Sequence, residues 1–168
     1  MRIKDVSWRA ATEIDLPEIK ALSDRVHPGL PEDIGIFAER LRLYPKGTLV
    51  CRESGRLIGY AITHPWIRDE VPPLNAIVGK IPGRPDTYYL HDIALDDAAR
   101  GQGLGSQAIA LLKEHARREG YRTINLVAVN ASHAFWQRHG FGTKDVDGLA
   151  QKLATYGIGA RYMECGDL

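Results

Sequence analysis

Hydrophobic positions along the chain fall into short strand-length runs interleaved with amphipathic helical stretches. Val6 to Ala10 reads as a first strand. Leu16, Ile19 and Leu22 then form a helical stripe, with Asp15 as N-cap and Glu18 three residues on, the spacing of a capping box. His27-Pro28-Gly29 breaks that helix. Pro31 opens a second one, with Phe37, Leu41 and Tyr44 on one face and Pro45 as its stop. Thr48 to Arg52 and Leu57 to Thr63 predict a strand pair around Glu53-Ser54-Gly55-Arg56. From His64 to Asp86 the chain carries Pro65, Pro72, Pro73, Pro82 and Pro85, which forbid regular pairing and predict a long surface loop. Asp69 and Glu70 make an acidic tip there, either solvated or available to an amine's positive charge.

The pattern is most informative from Tyr88 to Gly120. Tyr88 to Leu95 is rich in aromatic and branched residues and predicts a strand buried on both faces. Four small or acidic residues lead to Arg100-Gly101-Gln102-Gly103-Leu104-Gly105-Ser106. From Gly105, the residues Ile109, Leu112 and Ala116 recur at helical spacing, with Ala108 and Leu111 beside them. Lys113, Glu114, Arg117 and Arg118 take the other face, and Gly120 supplies a C-terminal stop. The unit is strand, glycine-rich turn, helix. Such a turn presents successive backbone N–H groups at a helix N-terminus, a phosphate site that needs no lysine. It lacks the G-K-[ST] of a P-loop, and G-x-G-x-G is not the G-x-G-x-x-G of dinucleotide folds. Thr123 to Val129 then predicts a strand and Ala131 to His139 a short helix ended by Gly140. Strand follows from Phe141 and again from Ala160 to Cys165, with no clear pattern over 147–159. The whole chain, 1–168, reads as one domain.

Charge and composition narrow the function. Lys and Arg number 22 against 21 for Asp and Glu, so no net field recruits nucleic acid or an anionic membrane. No apolar run is long enough to span a bilayer, and MRIKDVSWRA lacks a signal peptide's apolar core. Cys51 and Cys165 lie far apart, form no metal-binding spacing and read as reduced thiols of a cytoplasmic protein, monomeric or homodimeric. No metal site is expected.

Arg100-x-x-Gly103-x-Gly105 behind Ile93-Ala94-Leu95 resembles the acetyl-CoA signature of the GCN5-related N-acetyltransferases, the GNAT family. Asn130 and Phe135-Trp136-Gln137-Arg138-His139-Gly140-Phe141 extend the resemblance. Leu90-His91-Asp92-Ile93-Ala94-Leu95 is most similar to the family's arylalkylamine branch. The resemblance implies an α+β, three-layer fold. Its central sheet is mixed but mostly antiparallel, flanked by helices, with parallel strands splayed around an acetyl-CoA cleft. It implies that Ile93, Ala94 and Leu95 pair with the pantetheine arm as an added strand would. The N–H groups of Gly101, Gln102, Gly103, Leu104, Gly105 and Ser106 would hold the pyrophosphate. Arg100 either touches phosphate or caps the turn, and Asn130 lies near the pantetheine. The two helices of the N-terminal half would flank the acceptor pocket.

Transfer of an acetyl group to a small-molecule primary amine requires a base, because an amine with a lysine-like pKa of about 10.4 is protonated at neutral pH. His91 matches a histidine implicated in the arylalkylamine branch and is the candidate. Strand alternation puts Tyr89, His91, Ile93 and Leu95 on one face and Asp92 on the other. A hydrogen-bonded structural role for His91 is the alternative. His115 and His133 read as surface or packing residues. Trp136 departs from the family: a tyrosine there protonates the departing thiolate, and an indole N–H cannot give up its proton in this range. Either the thiolate leaves unaided, or Tyr156 or Tyr162 helps, or the protein is an acyl-CoA-binding relative with weak turnover.

Overall fold

The computed structural model describes residues 5–168. Seven strands form one sheet: β1 (Val6–Ala10), β2 (Thr48–Glu53), β3 (Arg56–Trp66), β4 (Thr87–Leu95), β5 (Ile124–Ala128), β6 (Gly142–Thr143) and β7 (Arg161–Cys165). Their spatial order is β1-β2-β3-β4-β5-β7-β6, and every neighbouring pair is antiparallel except β4–β5. Among the described residues five α-helices accompany them: α1 (Leu16–Val26), α2 (Ile34–Leu43), α3 (Leu104–Arg118), α4 (His133–Arg138) and α5 (Ala150–Ala154). No helix among the described residues is long and apolar enough to cross a membrane.

Two apolar layers sandwich the sheet. On one face Leu16, Ile19 and Leu22 of α1 and Phe37 and Leu41 of α2 pack on Val50, Leu57, Tyr60, Ile62 and Ala94. On the other, Ile109, Leu112 and Ala116 of α3 pack on Tyr88, Leu90, Ile124 and Leu126, together with Trp136 and Phe141. Layering of this kind follows from helices with one apolar stripe each, which must be buried against a common sheet.

Several local expectations shift. α2 begins at Ile34, not at Pro31, and Tyr44 leaves its stripe to pack edge-on to Tyr88 in the opposite layer, ring centroids 6.2 Å apart. Asp15 precedes α1 but makes no capping bond with its side chain. The carboxylate instead accepts from Arg9, from Arg52 at 2.7 Å and from the Thr12 N–H at 2.8 Å. Two guanidiniums are stronger partners than one helix N–H. The proline-rich loop starts later than its composition suggests, because β3 runs through Pro65 to Trp66 and pairs with Thr87. β2 has already ended opposite Ile62, so Pro65 removes no bond to that neighbour. His64 is consequently a fully buried strand residue, and burial pushes its imidazole down to about 3.

The remaining loop, 67–86, is fastened rather than free. Arg40, fully buried, donates to the Ala76 carbonyl at 3.2 Å, and Glu39 accepts from Val78 and Gly79. Tyr156 donates to the Pro72 carbonyl at 2.5 Å. Arg68 grips Glu164 of β7 through Nε at 2.7 Å, and Asp69 pairs with Lys144 at 2.7 Å. Over 147–159, where the sequence pattern is silent, lies α5.

Candidate functional site

β4 and β5 are parallel and pair only from Tyr88 opposite Ile124 to Leu90 opposite Leu126, after which they part. β4 stays paired with β3 as far as Leu95, so residues 91–95 keep one edge without a strand partner. The opening between the two strands is a cleft of about 680 Å³. Ile93, Ala94 and Leu95 line one side, Val127, Val129 and Asn130 the other, and Arg100, Gly101, Gly103, Leu104, Gly105 and Ser106 its outer end.

The outer end is built by the glycines. Gly101 and Gly103 have φ of 78° and 77°, a left-handed backbone open to glycine at no steric cost. A Cβ on either would meet no protein atom within 4 Å. Gly105 serves packing instead: its Cβ would lie 3.4 Å from Phe135 and 3.5 Å from Leu95. The N–H of Gln107 is bonded to the Gly103 carbonyl at 3.0 Å, and the N–H groups before it belong to the unpaired first turn of α3. They point out of the helix with its positive dipole end. Arg100 is exposed and rests 3.4 Å from Asp97, while Ser106 Oγ bonds His139 Nε2 at 2.9 Å. Gln102 is the one predicted turn residue outside the cleft lining. Its side chain folds back onto the Ala98 carbonyl at 3.1 Å.

The inner end is shaped by a bulge. Ile62 faces Asp92 while Thr63 faces Leu90, so His91 has no partner of its own in β3. An extra residue resets the side-chain alternation. His91 and Asp92 therefore point together toward the α1–α2 layer, with Tyr89, whereas Ile93 and Leu95 face α3. This corrects the simple alternation, which separated Asp92 from His91 and grouped Ile93 and Leu95 with it.

The connection between α1 and α2 answers both side chains. His91 Nε2 lies 2.9 Å from Glu32 Oε1, with 1% and 5% of the side chains exposed. With the Nε2 proton on Glu32, Nδ1 carries the lone pair, and it has no protein partner among the described residues. Burial would raise the Glu32 carboxyl, but when His91 is protonated its charge and hydrogen bond outweigh burial and hold the carboxyl below its ordinary value. Glu32 Oε2 also accepts the Asn75 N–H at 3.1 Å, tying the 67–86 loop over this end.

The second pair is crossed with the first. His27, just past α1, bonds Asp92 Oδ1 through Nε2 at 2.9 Å, and the Tyr60 hydroxyl donates to Asp92 Oδ2. On its other side His27 Nδ1 lies 3.2 Å from Asn130 Nδ2. Burial would lower the His27 imidazole, but the hydrogen bond and charge of Asp92 outweigh it and the net shift is upward. For Asp92 burial likewise opposes ionisation, and His27 reverses it. Neither His27, Glu32 nor Tyr60 is singled out by sequence spacing. His27 reads as a helix terminator, and its pairing depends on a bulge that leaves no mark in the sequence.

Trp136, in α4, is 5% exposed and lines the cleft beside Leu126. Its indole N–H donates to Ser132 Oγ at 3.2 Å, one turn back, and its ring meets Phe135 and Phe141 edge-on at 5.1 and 5.4 Å. Tyr156 lines the cleft with its hydroxyl committed to Pro72, while Tyr162 accepts from the Asp69 N–H outside it. Asp69 and Glu70 do not line the cleft.

A sheet with one splayed parallel pair, opening onto a glycine turn at a helix N-terminus, frames the site. The sequence model of the acetyltransferase (GNAT) family matches residues 8–141, and the chain belongs to that family. Solved structures agree on the fold. A GNAT-like decarboxylase, GphF, in complex with isobutyryl-CoA superposes with a TM-score of 0.81 at 16% identity, covering 96% of this chain and 100% of that one. The loading GNATL domain of CurA from Lyngbya majuscula gives 0.80 at 12% identity, over 96% and 97% of the two chains. The ribosomal-protein-S18-alanine N-acetyltransferase from Escherichia coli gives 0.68 at 18%, over 96% and 94%. No curated protein sequence matches the chain.

Proposed function

We propose that the protein is an acetyl-CoA-dependent N-acetyltransferase for the primary amine of a small molecule, with His91 as the general base. The observation that carries the reading is the free edge of β4 at 91–95, which runs from the glycine turn to two histidine–carboxylate pairs. Ile93, Ala94 and Leu95 take the pantetheine arm by strand addition. The N–H groups from Gly101 to Ser106 hold the pyrophosphate, Ser106 adds its hydroxyl, Arg100 adds positive charge, and Asn130 and Trp136 flank the reacting end. His91 Nδ1 takes the amine's proton, directly or through a water, while Glu32 holds the ring in the tautomer that leaves Nδ1 basic.

Charge supports an amine acceptor. At the inner end Asp92 is balanced by His27, which leaves Glu32 as the carboxylate that attracts a cation while His91 is neutral, and the arginines Arg100 and Arg138 lie toward the glycine turn and α4. A cationic amine is favoured by the first arrangement, and an acceptor with its own carboxylate near the nitrogen is disfavoured. The bond from Asn75 to Glu32 narrows this end, which suits a small acceptor.

Release of coenzyme thiol from acetyl-CoA, followed with arylalkylamines, polyamines, aminoglycosides, amino acids and peptide N-termini, tests the reading. Turnover with a small amine above the rate with peptides is expected. A second reading, an acyl-CoA-binding or regulatory relative with weak turnover, draws on Trp136, whose N–H is spent on Ser132. Tight coenzyme binding with no transfer to any amine would favour it.

A further inference from the structure

One base suffices to deprotonate an amine, yet the inner end of the cleft holds two histidines, each backed by a carboxylate, buried at Glu32 and partly buried at Asp92. The reaction also needs a proton delivered to the departing sulfur. Trp136 cannot supply it, and its N–H is turned to Ser132. Tyr156 donates to a backbone carbonyl, and burial pushes its hydroxyl up, away from proton transfer at neutral pH.

His27 stands differently. It bridges the two lips of the cleft: Asp92 on β4 holds its Nε2, and Asn130, beyond the end of β5, faces its Nδ1. The ring lies against Asp92 of β4, at the start of the unpaired edge. Its side chain is 13% exposed, so protons can reach it from solvent. Building on the N-acetyltransferase reading, we propose that His27 is the acid that protonates the leaving coenzyme thiolate, with Asp92 as its positioning residue and Tyr60 fixing Asp92.

The amine nitrogen bonds the thioester carbon, the C–S bond breaks, and its electron pair stays on sulfur. The Nδ1 proton of the His27 imidazolium passes to that sulfur and gives the free thiol. His27 is left neutral, with its Nε2 proton still on Asp92 and its Nδ1 accepting from Asn130 Nδ2, the arrangement seen here. The amine reaches this step neutral, its ammonium proton having gone to solvent through His91, and the proton it sheds on becoming an amide leaves by the same route.

The groups around His27 support the charged form. Asp92 faces it from β4 and its charge outweighs the burial that would lower the imidazole. Glu32 adds a weaker attraction from the α1–α2 connection. Tyr60 donates to Asp92, and its hydroxyl is held neutral chiefly by burial and then by the Asp92 charge. His91 is paired to Glu32 and not to His27.

The test compares wild type and His27→Gln on acetyl-CoA and on the corresponding acetyl selenoester, whose selenol is more acidic and departs as an anion unaided. His27→Gln is expected to lower kcat roughly a hundredfold with the thioester. KM for the coenzyme should stay near wild type, and the loss should fall below about threefold with the selenoester. Equal losses with both esters, or no loss, would overturn the proposal, since a base or a structural residue is blind to the leaving group. A second arm needs no acceptor. The thiolate absorbance of bound free coenzyme should rise at lower pH in wild type than in His27→Gln, because an imidazolium stabilises the thiolate. Coincident titration curves would also overturn the proposal. Absence of transfer to every amine tried would instead defeat the acetyltransferase reading, with the titration still deciding His27.

Discussion

Replacing Gly103 by valine separates the strain of the glycine turn from its use as an anion site. Gly103 has φ of 77° and precedes the first residue of α3, and its missing Cβ would point into open space. A Cβ there meets no protein atom within 4 Å, so the damage to the free protein is chiefly backbone strain. A left-handed conformation costs an L-residue about 1–2 kcal/mol, which for a chain of this size lowers Tm by about 2–8 °C. Gly148 is a matched control, with φ of 85°, the same empty surroundings and a position outside the cleft. Gly103→Val and Gly148→Val should therefore lose similar stability. Only Gly103→Val should weaken acetyl-CoA, at least tenfold, about 1.4 kcal/mol, because the open space beside it is where the pyrophosphate must approach. Calorimetric titration of both folded variants is the assay. Wild-type affinity in Gly103→Val, or equal weakening in both, would refute the reasoning.

His91→Gln should lower kcat/KM roughly a hundredfold at neutral pH and flatten the acidic limb of the pH–rate profile, with coenzyme affinity retained; unchanged turnover and an intact limb would make it structural. Trp136→Phe should keep most activity, since the indole N–H bonds Ser132, and Trp136→Tyr should gain little; steady-state rates decide both. Arg68's hydrogen bond, against opposing burial, lowers the Glu164 carboxyl from 4.5 to about 2. Its contribution is thus present above about pH 4.5 and is lost as pH falls through about 2. Glu164→Gln should lower stability at pH 7 by about 1 kcal/mol, Arg68 being 44% exposed and screened by solvent, and should shrink the acid-induced fall in urea midpoint.

The glycine-turn half of the cleft was legible because its parts are local. Glycines in a strand-to-helix turn announce themselves by spacing, and α3 follows from Ile109, Leu112 and Ala116. The half lined by the histidine–carboxylate pairs was not. His27 and Glu32 sit on an irregular connection, and their partners Asp92 and His91 share a face only because β4 gains one residue against β3. A bulge is decided by pairing between distant segments, and periodicity within one strand cannot register it. Pro65 misled for a related reason: a proline excludes a strand only where a neighbour needs its N–H, and the end of β2 at Thr48 removes that neighbour.

The unpaired stretch of β4 bears on how the protein keeps to itself. Bare strand edges are where other chains add on and aggregation begins, and many proteins blunt them with lysines or prolines. Residues 91–95 contain neither. Their protection is architectural: the edge lies in the middle of the sheet, with β5 diverging opposite, α3 across one face and the α1–α2 connection across the other. A polypeptide strand brings side chains on both of its faces and needs room for them. A slender arm with few side groups needs less. The sheet can thus leave a row of hydrogen-bonding groups unsatisfied for a ligand while denying them to a second protein.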